Sequence, residues 1–180
     1  MGRTSAVIGS VIFFLVAPGV VAFLVPFLLG QGQVEAWRLD PPVVKWAGLA
    51  LGAAGTMALI ECFARFALKG RGTPAPIAPT EHLVVTGLYR YVRNPMYVAV
   101  LAIILAQAMW FASIAVLIYA AITWASFTAF VIGYEEPTLA RSFGDEYVVY
   151  RANVHRWIPR LVPWHGPPDP SSPAHVDRNA

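Results

Sequence analysis

Forty consecutive residues, Pro95 to Tyr134, carry no charged side chain, and that run limits the fold more than any other feature. As a single helix it would be about 60 Å long, twice the roughly 30 Å apolar thickness of a bilayer, so the chain must turn back on itself. The turn is expected at Trp110-Phe111-Ala112-Ser113, where two aromatics suit headgroup level and Ser113 suits the N-cap of the returning helix. A tight helical hairpin with arms of about 95–111 and 113–134 is predicted.

Two further stretches extend the pattern. Ala6 to Gly30 is uncharged and follows Arg3, with Pro18 and Pro26 inside it, a placement tolerated in a bilayer. A cleaved signal peptide is the alternative, but the run exceeds the roughly 7–15 residues of an ordinary apolar signal core. Val43 to Leu68 forms another span, with Trp46 as an interfacial anchor and Glu61 and Arg65 four apart near its end. That pair reads as a self-neutralising salt bridge. Only 13% of the chain is charged and 57% is hydrophobic, against about a quarter charged in soluble domains. The expected fold class is therefore all-α, an integral membrane helical bundle with spans at about 6–30, 43–68, 95–111 and 113–134.

Basic residues orient it. With both termini cytoplasmic, Arg3, Arg65, Lys69, Arg71, Arg90, Arg93, Arg141, Arg151, Arg156, Arg160 and Arg178 fall inside and only Arg38 and Lys45 outside. The net charge of +3 follows from this arrangement and gives no reason to expect nucleic acid as a partner. Cys62, the one cysteine, suits packing, and the four histidines lack metal-ligand spacing, so no metal is expected. Residues 1–163 read as one domain, with a disordered Pro-rich tail over 164–180.

Chemistry concentrates in the segments expected on the cytoplasmic side, 69–94 and 135–163. Gly70 to Thr80 is too rich in Gly and Pro for a helix. Then come a short extended piece, a turn at Gly87 and the basic aromatic cluster Tyr89-Arg90-Tyr91-Val92-Arg93-Asn94. Asn94 as N-cap and Pro95 at the first helical position start a buried helix whose N-terminus, beside Arg90 and Arg93, suits an anion. After the hairpin, Glu135-Glu136-Pro137 sets two carboxylates at the membrane border. Pro137 is expected to kink or end the helix and to free the Gly133 carbonyl for a bound ammonium or hydroxyl. Pairing of the carboxylates with Arg90 or Arg93 is equally consistent. Phe143, Tyr147 and Tyr150 recur at helical spacing and should pack inward, and Val154 to Pro159 should close the cap.

The ordered set resembles the superfamily of isoprenylcysteine carboxyl methyltransferases and phospholipid methyltransferases. It comprises Leu83-Val84-Val85-Thr86-Gly87-Leu88-Tyr89, Arg93-Asn94-Pro95-Met96-Tyr97, the hairpin, Glu135-Glu136, and Phe143-Gly144-Asp145-Glu146-Tyr147 with Tyr150. The resemblance covers roughly Gly70 to Pro159. It implies a membrane-embedded S-adenosylmethionine-dependent methyltransferase with a cytoplasmic cofactor cap and a lipophilic acceptor, a lipid or small molecule, that enters from the bilayer. By position, the cofactor contacts it implies are Glu81, His82, Leu83, Val84, Tyr89, Asn94, Pro95, Met96, Tyr97 and Glu135. Glu136, adjacent to Glu135, joins that set. Arg93, Asn94 and Glu135 are the catalytic candidates, with Arg93 or Arg90 facing the cofactor carboxylate. Two departures bear on the substrate: Asn94 stands where many members have His, and Val131 stands where the isoprenylcysteine enzymes place an acceptor-holding Arg. The expected setting is a bacterial inner membrane. Two other readings compete: a sterol-reductase-like enzyme using NADPH, and a non-catalytic membrane scaffold that would tolerate loss of Glu135 and Tyr97.

Overall fold

The computed structural model of the protein describes residues 16, 18–31, 41–69 and 83–166, with the backbone alone at 66–69. All regular structure among them is helical. Helix α1 (Gly19–Gln31) opens with a π turn over Gly19–Leu24, and α2 spans Pro42–Lys69. After a 3-10 turn at Gly87–Arg90 come α3 (Pro95–Phe111) and α4 (Ile114–Phe130). A second π turn, Val131–Glu135, joins α4 to α5 (Glu136–Asn153). Arg3, Arg38, Arg71, Glu81, His82, the start of the 6–30 span and the tail after Gly166 lie outside the described residues.

Two helical stretches are long and apolar enough to cross a membrane by length and composition: Pro42–Arg65 and Ile114–Asn153. Gly19–Gln31 and Pro95–Phe111 are shorter apolar helices. Large apolar side chains lie open on the outer faces, among them Trp46, Met57 and Ile60 on α2 and Ile118, Ile122 and Trp124 on α4. Patches of this kind are rare on soluble monomers and natural against lipid. The hairpin turn falls at the expected residues: Ala112 adopts the left-handed conformation (φ 49°), and the Ser113 hydroxyl accepts from the Val116 N–H.

A stripe of small residues sets the closest helix contact. Gly48, Gly52 and Gly55 share one face of α2 and pack against α3. A Cβ at Gly55 would stand 3.0 Å from both the Ala99 carbonyl oxygen and Ile103, and one at Gly48 would stand 3.0 Å from the Ala106 carbonyl oxygen. Backbones approach this closely in membranes through small residues, because lipid leaves little hydrophobic drive between helices. Leu59, Ile103, Ile104 and Val116 form the core beside the stripe.

Both π turns lie immediately before a proline. The Val25 N–H reaches back to the Val20 carbonyl, and Pro26 has no N–H, so the Val21 and Ala22 carbonyls lose their usual helical donors. Side chains replace them: Tyr119 Oη donates to Val21 O at 3.0 Å and Gln107 Nε2 to Ala22 O at 2.6 Å. The second turn follows the same pattern, with the Glu136 N–H donating to Val131 O just before Pro137. The helix therefore does not end at Pro137, one of the two outcomes expected there. The wider turn accommodates the ring and the helix continues, breaking instead at Gly144 (φ 49°, ψ −126°).

The α2–α3 contact yields the first prediction. Gly55→Leu should cost about 2–3 kcal/mol through overpacking, read as a lower melting temperature in detergent micelles. Gly133→Ala, whose Cβ would meet nothing within 4 Å, should leave it unchanged or raise it. Equal effects at the two glycines would refute the stripe as the tight contact.

Candidate functional site

The site is built from three stretches that meet at one end of the bundle. The first is the segment leading into α3. Leu83, Val84 and Val85 are not helical, and Leu83 and Val85 pack against the cluster of Tyr147, Tyr150 and Val154. Gly87 then takes φ 57°, and a Cβ there would fall on the Glu61–Arg65 ion pair of α2. Only glycine fits both demands.

The second stretch carries the two carboxylates, which have opposite surroundings. Glu136 is buried and fully engaged. Arg156 meets it with two parallel bonds, Nε to Oε1 at 2.7 Å and Nη2 to Oε2 at 2.9 Å, while Arg93 Nη1 lies 3.1 Å from Oε1. Arg93 also donates to the Tyr147 hydroxyl at 3.1 Å. Burial alone would raise the Glu136 pKa, but the Arg156 hydrogen bonds and the charges of Arg93, Arg156 and Arg151 outweigh it and hold the group below the usual carboxylate value.

Glu135 is half-buried and accepts from the Tyr97 hydroxyl at 2.9 Å. Among the described residues no basic side chain pairs with it. Phe127 and Trp157 flank the Tyr97 ring, with centroids 4.7 Å and 6.4 Å away. Tyr89 lies close enough to both Glu135 and Tyr97 to interact with them electrostatically. Burial first, then Cys62, Glu135, Tyr150 and Tyr97 around it, push its phenol well above the ordinary value, so it stays neutral.

The third stretch follows α5 and lies along the first. The Arg93 N–H donates to His155 O at 2.9 Å, the Arg160 N–H to Tyr91 O at 2.8 Å, and the Trp164 N–H to Arg90 O at 3.0 Å. Tyr150 Oη donates to Tyr89 O at 2.7 Å. Trp164 also packs on the Tyr150 ring at 5.7 Å, so Trp164 to Gly166 belong to this layer and not to the tail. A cavity of about 330 Å³ lies between Leu83, Val85, Tyr150, Trp164 and His165.

Of the candidates from sequence, Tyr89, Tyr97 and Glu135 are brought together. Pro95 takes the first position of α3, and Met96 packs against the core. Asn94 occupies the N-cap position without capping through its side chain: its amide donates to Arg156 O at 3.1 Å. Arg93 and Glu136 are joined as one of the expected pairings allowed. Arg156, Trp157 and Phe127 were not singled out. Arg156 and Trp157 lie inside the segment expected to close the cap, but their partners are 20 and 60 residues away in sequence, and no local spacing reveals such contacts.

Comparison with known proteins agrees with this architecture. The sequence model of the phospholipid methyltransferase family matches residues 43–146, more than half of the chain. The protein-S-isoprenylcysteine O-methyltransferase of Schizosaccharomyces pombe is 36% identical over 85 residues, which cover 46% of this chain and 35% of that protein. Both matches are to methyltransferases, of the phospholipid and isoprenylcysteine type. By the first, the chain belongs to the phospholipid methyltransferase family. The chain thus covers well under two thirds of the yeast enzyme's length.

The buried ion cluster gives a prediction. Glu136→Gln leaves two guanidinium groups without their carboxylate and should cost about 3–5 kcal/mol of stability. Because the folded pKa lies below the usual 4.5, Glu136 stabilises above that value and the contribution is lost as pH falls through the lower folded pKa. Acid titration of the melting temperature should show a fall below about pH 4.5 that is smaller in the Gln variant. An identical acid limb in both proteins would show that Glu136 does not carry it.

Proposed function

We propose that the protein transfers a methyl group from S-adenosylmethionine to a lipophilic acceptor reached through the bilayer. The observation that carries this reading is Glu135: a half-buried carboxylate at the membrane border, aimed by Tyr97, with no cation among the described residues. Glu136, one residue on, has two. Such a carboxylate suits a cationic ligand, and S-adenosylmethionine carries both a sulfonium and an ammonium. When bound, the cofactor supplies an electrophilic methyl: a lone pair of the acceptor forms the new bond to carbon, and the sulfur–carbon pair stays on a neutral thioether.

The protein's own residues have the remaining tasks. Glu135 and Tyr97 hold positive charge at the end of the apolar hairpin, and Tyr89 stays neutral beside them. Arg93 and Glu136 act as positioning residues, since their charged groups are occupied by each other, Arg156 and Tyr147. Arg90, whose Nε is buried without a partner among the described residues, is the cation left for the cofactor carboxylate. Alignment of donor and acceptor away from water supplies much of the rate in such reactions. An apolar hairpin wall favours a long hydrocarbon, each buried methylene adding roughly 0.8 kcal/mol. Val131, fully buried, leaves no cation at its position for an acceptor carboxylate, which favours an acceptor other than a prenylcysteine.

The same reading assigns four spans, with Gly19–Gln31 and Pro95–Phe111 completing crossings beside the two longer stretches, both termini cytoplasmic and the site on the cytoplasmic side. Reporter fusions after Gln33 and after Ala180 should report opposite sides; reports from the same side would overturn the topology. For the cofactor, Glu135→Gln should weaken S-adenosylmethionine binding about ten- to a hundredfold by calorimetry, the worth of a contact to a charged group of about 1.5–3 kcal/mol. Unchanged affinity in a folded variant would remove Glu135 from the site. Binding of NADPH in place of S-adenosylmethionine would favour a reductase instead.

A further inference from the structure

Trp157 comes from a stretch outside the family match, which ends at residue 146, yet its ring meets Tyr97 at 6.4 Å with the planes 71° apart. Its position is fixed from both sides and independently of its own ring. His155 O accepts the Arg93 N–H, Arg156 is locked on Glu136 while its carbonyl accepts from Asn94, and the Arg160 N–H is tied to Tyr91. The indole is thus delivered to the Tyr97–Glu135 pair by a rigid strap. On the other side of Tyr97 stands Phe127, 4.7 Å between centroids. Two aromatic rings therefore flank the tyrosine whose hydroxyl donates to a carboxylate with no cation of its own among the described residues.

That grouping has a specific chemistry. An ammonium with N–H groups is best met by several oxygen acceptors, but here one oxygen of the carboxylate is taken by the Tyr97 hydroxyl. A positive charge spread over carbon substituents, with no hydrogen to donate, is instead attracted by the negative faces of aromatic rings, most strongly by tryptophan and in a desolvated site. We propose that Tyr97, Phe127 and Trp157 form with Glu135 an onium-recognition site for the donor's sulfonium, and that Trp157 is the specificity-determining residue that makes it respond to the charge on sulfur. The inference rests on the methyltransferase reading above. Its consequence is a preference that the reaction itself removes: the aromatic faces attract the charged donor and have no such hold on the neutral thioether left after transfer.

The test compares two ligands that differ at sulfur, S-adenosylmethionine (charged) and S-adenosylhomocysteine (neutral). Both are titrated calorimetrically into wild-type protein and the Trp157→Phe and Trp157→Leu variants in nanodiscs. Trp157→Leu should weaken binding of the charged ligand about five- to twentyfold and that of the neutral one less than about twofold, with Trp157→Phe in between. Phe127→Leu, on the opposite side of Tyr97, should shift the ratio in the same direction and serves if Trp157→Leu does not fold. Equal weakening of both ligands in the folded variants, or no change in either, would overturn the inference and leave the methyltransferase reading standing. A wild-type protein that binds neither ligand would overturn both.

Discussion

The buried Glu136 carboxylate, held between Arg156 and Arg93, is the interaction on which the arrangement of this molecule depends. Removing a carboxylate from water costs several kcal/mol, and only good geometry with opposite charges offsets it. Each partner here comes from a different part of the chain: Glu136 from the start of α5, Arg93 from the lead-in to α3, Arg156 from the segment after α5. None of the three segments can leave without exposing or stranding a charge. The cost of breaking the cluster therefore holds the motif stretches together, alongside the packing of Leu83, Val85 and Trp164 against Tyr147, Tyr150 and Val154. The cluster also explains why Arg93 and Tyr91 bond to the C-terminal segment through backbone groups and Asn94 through its side-chain amide: the salt bridge brings the two stretches within reach and these bonds fix their register.

The prolines obey a related constraint. In a bilayer a carbonyl without a donor costs several kcal/mol, so a proline within a span must have its consequences met locally. At Pro26 a π turn and two side chains from neighbouring helices do so, which ties α1 to α3 and α4 by polar bonds inside an apolar bundle. At Pro137 the turn opens at the end of the apolar hairpin, beside Glu135. A helix defect in the interior thus serves packing, and the same defect at the surface shapes a site.

Much of the fold was legible because the bilayer acts on sequence directly. Uncharged length located the hairpin, and Ser113 and the aromatics before it located the turn. Proline and the polar residue before it located the start of α3, although Asn94 turned out to hold Arg156 and not the helix end. The Gly48, Gly52 and Gly55 stripe was present in the sequence at helical spacing and went unread, because hydropathy alone treats glycine as filler. The site was legible only as far as ordered motifs reach. Tyr97 and Glu135 lie in them. Arg156 and Trp157 depend on a long-range return of the chain whose register is set by Tyr91, Arg93 and Asn94, and nothing periodic announces it.

The π turn also decides which carboxylate faces which way. In a regular α-helix five residues span about 500°, so Glu136 would point about 140° away from Val131. Yet both are buried, at 8% and 1% exposure. A turn closed by an i to i−5 bond places residues five apart nearly on one face, and the Glu136 N–H makes that bond to Val131. The inward stripe of α4, Val116, Ala120 and Thr123, is thereby passed through Val131 to Glu136 instead of drifting to lipid. Without the extra residue, Glu136 would turn away from Arg93 and Arg156, and the ion cluster could not form. The proline and the π turn before it are thus the local cause of the charge asymmetry at the site. They turn Glu136 toward two arginines and leave Glu135 beside the Tyr97 hydroxyl, uncompensated among the described residues.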